Sequence, residues 1–310
     1  MPRSLRVEYE GARYHVMNRG DHREAIYVDE EDRECFLKTL GETCKKTGWQ
    51  AHAYCLMGNH FHLVIETPQA NLVVGMKWLM GTYTQRFNRR HKHWGHLFGG
   101  RYKAQVIDER TPHYLKVAAN YVHLNPARAN LVGKEERLEE YRWSSYPAYL
   151  RMGLRTEWLR VDRVMGEHGL QEDTVAARNQ FSKRMEHLRL DLQGLSKETK
   201  PLQRGWRLGA DDFVAWVGEK LKLGRKAGRG VRARERRDTD EQLAERLIKE
   251  RLEKVKLTEK ELKELPKGCP LKVSLAKLLR EHTPMSMRWI TTRLHIGSPG
   301  YLSHLFYAQK

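Results

Sequence analysis

The segment Cys55–Glu66 constrains the fold most strongly, because it predicts both a turn and a strand with two different faces. Gly58–Asn59 favours a turn, and the residues that follow are rich in β-branched and large apolar side chains. Successive side chains of a strand point to opposite faces, so His60 and His62 share one face. The other face carries Phe61, Leu63 and Ile65, which we expect to point into the core.

Two imidazoles on one face of a rigid strand form half of a divalent metal site. Two polar residues on a solvent-exposed face give the same pattern, and His60 and His62 alone do not separate these interpretations. A metal site needs a third ligand, and a catalytic site also needs a group that acts on a substrate. The rest of the chain has to supply both.

Apolar periodicity along residues 10–107 predicts the element order β-α-β-β-α-β. The predicted elements are strand 13–20, helix 29–46, strands 49–57 and 60–67, helix 72–90 and strand 102–107. This order is the split βαβ arrangement of ferredoxin-like folds. We therefore predict an α+β fold with one antiparallel sheet and helices on one face.

A further helix is predicted after the sheet. Thr111–Pro112 suits a helix start, and Pro126 disfavours helical geometry at the residue before it, so the helix should stop near Asn125. An aromatic segment, Tyr141–Leu150, should then pack back on the sheet domain. The first domain is expected to span residues 1–150.

The remaining residues predict a helical extension. Residues 151–237 are expected to form a helical connector, and its basic segment Leu223–Arg237 suits either a phosphate-contacting linker or a solvated loop. Residues 238–310 should form a helical domain that ends in a helix, a turn at His295–Gly297 and a final helix from Ser298. That is the helix-turn-helix pattern, although a plain three-helix bundle has the same signature. In a helix-turn-helix the residues facing base edges would be Ser298, Tyr301, Ser303 and His304.

The amino-acid composition limits the classes of partner that we expect this protein to bind. The formal net charge of +18 favours binding to polyanions such as nucleic acid, although basic ribosomal and membrane-surface proteins share it. The four cysteines, Cys35, Cys44, Cys55 and Cys269, lack the spacing of a zinc or disulfide framework and suit reduced thiols. With no long apolar run and no apolar leader, we expect a soluble cytoplasmic protein without a membrane partner.

The helix after the sheet supplies the missing chemistry. Tyr121 and Asn125 are four residues apart, so they share a helix face. A tyrosine phenol has an ordinary pKa near ~10 and can attack a phosphodiester if a divalent cation polarises the phosphate. A covalent phosphotyrosine conserves the bond energy, so that a strand can later be rejoined. Two histidines and one amide oxygen leave metal positions open for phosphate and water.

Several motifs resemble one family of enzymes. Gly58–Val64 resembles the HUH motif (His, bulky apolar, His) of single-tyrosine transposases. Asn120–Ala129 is similar to the Tyr-x-x-x-Asn-Pro stretch of their branch associated with repetitive extragenic palindromes (REP), as are His96–Lys103 and Trp143–Tyr146. The resemblance covers about residues 10–150, in the same order and spacing, and it identifies a REP-associated tyrosine transposase.

This resemblance implies a ferredoxin-like endonuclease that uses Mg²⁺ or Mn²⁺ to cut single-stranded DNA. Tyr121 would be the nucleophile that becomes linked to the 5′ phosphate, with His60, His62 and Asn125 as metal ligands. Insertion-sequence relatives usually carry Gln at the third ligand position on a continuous helix. Asn125 is shorter and precedes a proline, so Glu66, on the histidine face of the strand, is a substitute ligand.

The resemblance also implies the substrate, which is a short palindromic repeat folded into a single-stranded DNA hairpin. The predicted DNA contacts are Arg13, Arg19, Arg101 and Lys103, with Tyr14 and Phe98 stacking on bases. His91, His93 and His96 imitate metal spacing but lie in a Gly-rich connector, which suits a DNA-contacting or mobile loop. The REP-associated branch favours a monomer, whereas insertion-sequence relatives pair active sites across a dimer.

Two other functions fit parts of the sequence. A domesticated DNA-binding regulator would use the hairpin-binding surface and the helix-turn-helix without transferring strands. A metal-dependent phosphodiesterase acting on RNA or a nucleotide would not need Tyr121.

We predict that a chain ending at residue 206 loses sequence-selective DNA binding, because the truncation removes the proposed recognition helix. The loss should be at least about tenfold, since each good base-edge contact contributes about 1–3 kcal/mol. Mobility shifts with a hairpin and a scrambled competitor measure this selectivity. Unchanged selectivity would reduce the C-terminal helices to a packing role.

Overall fold

The computed structural model describes residues 6–133, 135–191, 202, 205–226, 231–283 and 285–308. The chain divides into two compact units, Met1–Leu221 and Lys222–Lys310. Each unit has its own cluster of buried hydrophobic side chains.

The first unit contains a five-stranded sheet. Its strands are β1 (Ala12–Arg19), β2 (Gln50–Leu56), β3 (His60–Thr67), β4 (Lys103–Ile107) and β5 (Arg207–Leu208). The helices up to the end of this unit are α1 (Glu30–Thr47), α2 (Leu72–His91), α3 (Tyr114–His123), α4 (Asn125–Arg128), α5 (Tyr146–Leu150), α6 (Asp162–Glu167), α7 (Val175–Leu190) and α8 (Phe213–Lys226). Short 3-10 helices span Asp21–Arg23, Leu138–Glu140 and Met152–Leu154.

The strand order β2-β3-β1-β4-β5 confirms the α+β ferredoxin-like prediction. The pairs β2–β3, β3–β1 and β1–β4 are all antiparallel, as the split βαβ arrangement requires. The register places Met17 opposite His62 and Arg19 opposite His60. The two-residue strand β5 was not predicted, and it pairs in parallel with β4.

Helices α1 and α2 cover one face of the sheet, as predicted. Phe36 of α1 lies 5.0 Å from Phe61 of β3 and 5.0 Å from Tyr83 of α2, measured between ring centroids. All three rings are buried. The apolar face of β3 thus joins the sheet to both helices.

Helix α3 lies on the opposite face, so helices cover both sides of β3. It packs across β2 and β3. The side chains of β3 are buried from Phe61 to Thr67, on both faces of the strand. A central strand that is buried on both faces accounts for the nearly continuous apolar run in its sequence.

Helix α3 begins and ends differently from the prediction. It starts at Tyr114 rather than Thr111, after an N-cap residue, His113, that makes no side-chain capping hydrogen bond. Pro126 is not the residue that ends α3. Helix α3 already stops at His123, and a new short helix, α4, starts at Asn125. Pro126 lies in the first turn of α4, where a missing N–H removes no helical hydrogen bond.

The predicted domain end near residue 150 is not a boundary of packing. The segment Tyr141–Leu150 packs back on the sheet as predicted, and the Tyr141 hydroxyl donates to the Leu56 carbonyl at 2.7 Å. Beyond it, Val164, Phe181 and Phe213 are buried in the same hydrophobic cluster as the sheet. These side chains are too widely spaced for periodicity to show that they share one core with residues 1–150, and the structural division falls after Leu221.

The second unit is helical. After α8, its helices are α9 (Val231–Lys254), α10 (Glu259–Glu264), α11 (Pro270–His282), α12 (Met287–Arg293) and α13 (Pro299–Ala308). The prediction of a flexible linker at Leu223–Arg237 is wrong where the structure describes it, because residues 223–226 and 231–237 are helical. Arg, Lys, Glu and Ala are strong helix formers. Residues 227–230 lie outside the described residues.

The last three helices follow the predicted pattern. The turn before α13 contains two residues with left-handed backbone conformations, His295 (φ 53°) and Gly297 (φ 103°). Buried Leu302 faces the core of the unit. The four predicted recognition residues, Ser298, Tyr301, Ser303 and His304, are exposed. Contact of these residues with DNA remains a prediction.

Within the described residues, no helix combines the length and apolar character required to cross a bilayer.

Two glycines of α2 give opposite predictions for stability. A Cβ at Gly75 would lie 2.1 Å from the Trp49 ring, whereas a Cβ at exposed Gly81 meets nothing within 4 Å. We expect Gly75→Ala to lower the free energy of unfolding by about 1–3 kcal/mol through overpacking. Gly81→Ala should raise it by about 0.5–1 kcal/mol through helix propensity. Urea unfolding checks both, and equal effects would contradict the close contact with Trp49.

Candidate active site

A cleft of about 1420 Å³ lies within the first unit, and residues from both faces of β1, such as Tyr14 and His15, line it. It brings together all four residues predicted to carry the chemistry, which are His60, His62, Tyr121 and Asn125. Residues from beyond position 200 also line the cleft, including Leu202, Trp206, Val214 and Val217. Sequence analysis did not assign these residues, because the separation of more than 80 residues from Tyr121 carries no local signal.

The two histidines and the tyrosine are neighbours in the cleft. The ring centroids of His60 and His62 are 5.1 Å apart, and those of His62 and Tyr121 are 5.7 Å apart. Tyr121 is 9% exposed, so most of its ring is packed while its side chain still reaches the cleft. This geometry places a phenol beside two imidazoles, as the motif spacing predicted.

Asn125 is held by its own helix turn. Its Nδ2 donates to the carbonyl oxygen of Tyr121 at 2.9 Å. That hydrogen bond fixes the amide orientation, since a carbonyl only accepts, and it leaves Oδ1 as the atom suited to ligation. The break between α3 and α4 therefore does not remove Asn125 from the site.

His15 is a third histidine at the site, and sequence analysis missed it. Its Nε2 lies 2.9 Å from Nδ1 of His62, and its Nδ1 lies 3.2 Å from Oε1 of Gln105 on β4. The ring planes of His15 and His62 are nearly parallel, at 6°. The sequence does indicate which face His15 occupies, because the period-two pattern of β1 puts it on the same face as Arg13 and Arg19.

Burial keeps these histidines neutral. Burial lowers the pKa of His15 to about 4. Burial, assisted by the charge of Arg19, lowers the pKa of His60 to about 4. The pKa of His62 falls well below its usual 6.5 through burial and the neighbouring His15 and His60. A neutral imidazole keeps one nitrogen lone pair, which a metal ligand requires.

The donor set fits a divalent cation with open coordination positions. Among the described residues, no three His, Cys, Asp or Glu side chains are grouped to hold a metal. The cleft residues that could hold a divalent cation are His60, His62 and Asn125, through two imidazoles and one amide. The Nδ1 atoms of both imidazoles are bonded to protein groups, His60 to Asn59 Oδ1 at 2.7 Å and His62 to His15. Their Nε2 atoms are therefore the nitrogens suited to a metal.

Two arginines bring positive charge to the tyrosine and histidines. The guanidinium carbon of Arg128 lies 4.5 Å from the centroid of the Tyr121 ring. Nη1 of Arg128 and Nε of Arg19 are buried and have no hydrogen-bond partner within the described residues. Cationic donors in such positions favour an anionic ligand.

The predicted DNA contacts divide into two groups. Arg19, Arg101 and Lys103 line the cleft. Tyr14 and Phe98 are buried among core side chains, so the prediction that they stack on bases is wrong.

Arg13 and Glu66 belong to a buried ionic cluster rather than to the cleft lining. Arg13 Nε lies 3.4 Å from a Glu66 carboxylate oxygen. The same oxygen lies 2.9 Å from Arg163 and 3.3 Å from His52. Because these contacts occupy the carboxylate, the structure contradicts Glu66 as a substitute metal ligand and Arg13 as a free DNA contact.

The histidine-rich connector is partly anchored. Nε2 of His91 lies 2.9 Å from both carboxylate oxygens of Asp32, near the start of α1. His91 is also the last residue of α2, so the prediction of a mobile loop is wrong at this residue, and its contact with DNA remains a prediction. His93 and His96 are exposed.

Comparison with known proteins finds a similar family for the first part of the chain. Residues 8–125 match the family described as "Transposase IS200 like". The match covers less than half of the chain, and it agrees with the resemblance to tyrosine transposases.

One solved structure with a similar chain is that of a REP-associated tyrosine transposase bound to a REP hairpin. The sequences are 13% identical, the match covers 53% of this chain and 93% of that chain, and the TM-score is 0.40. No curated protein sequence matches the chain significantly.

The Glu66 cluster predicts a pH-dependent contribution to stability. Burial alone would raise the pKa of Glu66, but the hydrogen bond from His52 and the charges of His52, Arg163 and Arg13 lower it below its usual 4.5. A lowered folded-state pKa gives stability that is present above the unfolded pKa and is lost as pH falls through the folded value. Glu66→Gln should therefore lower the free energy of unfolding by about 3 kcal/mol at neutral pH, and by less as the pH falls below the usual carboxyl pKa of 4.5.

Urea unfolding across this pH range measures the difference between wild type and Glu66→Gln. The control is Glu34→Gln. Among the described residues its carboxylate makes an exposed 3.7 Å pair with Arg142, so the substitution should change stability by less than about 0.5 kcal/mol. A pH-independent difference would contradict the ionic origin of the effect.

Proposed function

We propose that this protein is a DNA endonuclease and strand transferase that cuts single-stranded hairpin DNA through a 5′-phosphotyrosine intermediate. One observation carries the proposal, which is the position of Tyr121 beside His60 and His62 in a basic cleft. A tyrosine in that position suits nucleophilic attack better than a packing role, because its side chain lines the cleft with the two histidines.

In the proposed reaction, Tyr121 Oη attacks the phosphorus of a phosphodiester. A bond forms between Oη and phosphorus, and the bond from phosphorus to the 3′ oxygen breaks. The phenol proton is lost to solvent, and the leaving 3′ oxygen takes up a proton to become a hydroxyl. Attack by a 3′ hydroxyl on the phosphotyrosine reverses these steps and rejoins a strand without an external energy source.

The protein groups hold the reactants. Arg128 is placed to stabilise negative charge developing on the phenol ring. Arg19 lines the cleft, and its guanidinium would bind a phosphate oxygen there. Orienting the nucleophile and the phosphate in this way removes much of the entropic barrier to their encounter.

His60, His62 and the amide oxygen of Asn125 would hold Mg²⁺ or Mn²⁺. Such a cation, when bound, polarises the scissile phosphate and stabilises charge on its oxygens. The HUH motif and the Tyr-x-x-x-Asn-Pro motif both support this set.

The substrate proposal rests on charge and on the motif resemblance. A net charge of +18 and the cleft residues Arg101 and Lys103 favour a polyanion. The resemblance of Asn120–Ala129 to the REP-associated branch favours a palindromic hairpin, and the same branch favours a monomer. The exposed face of α13 supports an added role for the second unit in selecting DNA. Because the first unit extends to Leu221, truncation after that residue tests this role more cleanly than truncation after 206.

A DNA-binding regulator without strand transfer is the second candidate, and the exposed residues of α13 favour it. The two functions differ in one product, since only the transferase forms a covalent adduct with DNA. Cleavage without an adduct would instead indicate simple phosphodiester hydrolysis.

We expect Tyr121→Phe to lower the amount of covalent protein–DNA adduct by at least about 10³-fold, because the variant lacks the attacking oxygen. The measurement is a denaturing gel after incubation with labelled hairpin DNA and Mn²⁺. The matched control is Tyr114→Phe, because Tyr114 is also a tyrosine of α3. This variant should still form the adduct. An adduct that persists in Tyr121→Phe would show that another residue is the nucleophile.

A further inference from the structure

A chain of hydrogen bonds runs from the backbone of Gly205 to the metal-binding side of His62. Gln105 Nε2 donates to the Gly205 carbonyl oxygen at 3.1 Å. Gln105 Oε1 lies 3.2 Å from Nδ1 of His15, and Nε2 of His15 lies 2.9 Å from Nδ1 of His62. Gln105, His15 and His62 are all buried, at 6%, 3% and 3% exposure, so water does not compete freely for these contacts.

The direction of each hydrogen bond follows from the first. A backbone carbonyl only accepts, so the amide NH₂ of Gln105 must face Gly205 and its Oε1 must face His15. Oε1 also only accepts, so Nδ1 of His15 carries a proton.

The same logic then fixes His62. A buried, neutral His15 that is protonated on Nδ1 has a lone pair on Nε2, and this atom accepts from Nδ1–H of His62. Neutral His62 therefore has its lone pair on Nε2. An unrestrained neutral imidazole carries its proton on either nitrogen, and only the tautomer with the proton on Nδ1 can ligate a metal through Nε2.

His60 is fixed by a separate and shorter chain. Nδ2 of Asn59 donates to the Arg23 carbonyl oxygen at 2.9 Å, so Asn59 Oδ1 accepts from His60 Nδ1 at 2.7 Å. The two histidines thus have the same tautomer but different protein partners. His60 therefore serves as an internal reference when a substitution alters the hydrogen bonds from Gln105 and His15 to His62.

We propose that His15 and Gln105 are positioning residues that lock His62 in the Nδ1–H tautomer and so prepare its Nε2 for a divalent cation. The inference deepens the proposed function and rests on it for the identity of the ligand. The lock itself is a property of the protein without metal. Second partners of this kind typically change metal affinity by about 10–100-fold.

The direct test is nitrogen-15 NMR of the histidine rings in the full-length, metal-free protein near neutral pH. Two-bond and three-bond couplings from ring protons distinguish a protonated nitrogen from an unprotonated one. Wild type should show His62 and His60 with a proton on Nδ1 and none on Nε2. A wild-type His62 with its proton on Nε2 would overturn the proposal, whatever the variants do.

The variant test separates the hydrogen bond from the shape of the ring. His15→Phe keeps an aromatic ring but cannot accept from His62, so His62 should shift toward the Nε2–H tautomer while His60 stays unchanged. Titration with Mn²⁺ alone should show affinity lower by about 10–100-fold. His15→Gln can donate to Gln105 and accept from His62, and it should restore the tautomer and most of the affinity. Equal tautomers and affinities in the two variants would overturn the proposal.

A second position covers the case in which His15→Phe does not fold. Gln105→Met removes the acceptor that orients His15, so His62 should again become a mixture of tautomers with weakened Mn²⁺ binding. Retention of a pure Nδ1–H tautomer of His62 in this variant would contradict the proposal that Gln105 sets this tautomer through His15.

The outcomes also separate this inference from the proposed function. A wild-type protein with His62 locked as Nδ1–H that binds Mn²⁺ but forms no DNA adduct would refute the transferase and keep the lock. A wild-type protein that forms the adduct while His62 is not locked would refute the lock and keep the transferase.

Discussion

The strict alternation of β3 is the constraint on which the site depends. Phe61 belongs to the core shared with α1 and α2, which fixes which way the neighbouring side chains point. His60 and His62 must then face α3. A slip of one residue in the register would exchange the two faces and bury imidazoles among aromatic rings. The same packing that stabilises the sheet therefore determines where the histidines lie.

Burial on the α3 side then determines their chemical state. A cleft partly closed by α3 and by residues beyond 200 removes water from His15, His60 and His62 and disfavours their protonated forms. Neutral buried imidazoles still carry polar nitrogens, and leaving these unsatisfied would cost free energy. The hydrogen bonds to Asn59 and along the Gln105 chain satisfy them. Asn59, His15 and Gln105, whose hydrogen bonds satisfy these buried imidazoles, also leave the Nε2 atoms of His60 and His62 suited to binding a cation.

Strong periodic signals made most of the first 125 residues predictable. Period-two and period-3.6 patterns predicted the four antiparallel strands and the first two helices to within a few residues, because each element buries one regular apolar face. His60, His62, Tyr121 and Asn125 could be grouped because their spacing resembles known motifs. Thr111–Pro112 has the composition of a helix start, but α3 begins at Tyr114, after an N-cap residue, His113, without a side-chain capping hydrogen bond.

The alternation of side chains along β1 excludes some of the predicted DNA contacts. Arg13 and Tyr14 are adjacent on β1, so both could not face the same DNA, and the structure buries Tyr14 at 0% exposure. The same rule placed His15 on the face of His62 once the two strands were paired, but single-sequence patterns do not reveal which strands are neighbours. Gln105 is less accessible still to sequence reasoning, because its role depends on the register of β4 against β1.

The segment beyond the family match completes the site. Residues 8–125 supply four of the five strands, the histidines, the tyrosine and Asn125. The carbonyl that orients Gln105 belongs to Gly205, next to the short strand β5, which pairs with β4. Without that carbonyl, the Gln105 amide could turn over and offer its NH₂ to His15, which would reverse every donor and acceptor up to His62. In the proposed hydrogen-bond chain, a backbone oxygen outside the matched region therefore helps to determine which nitrogen of His62 can ligate a cation.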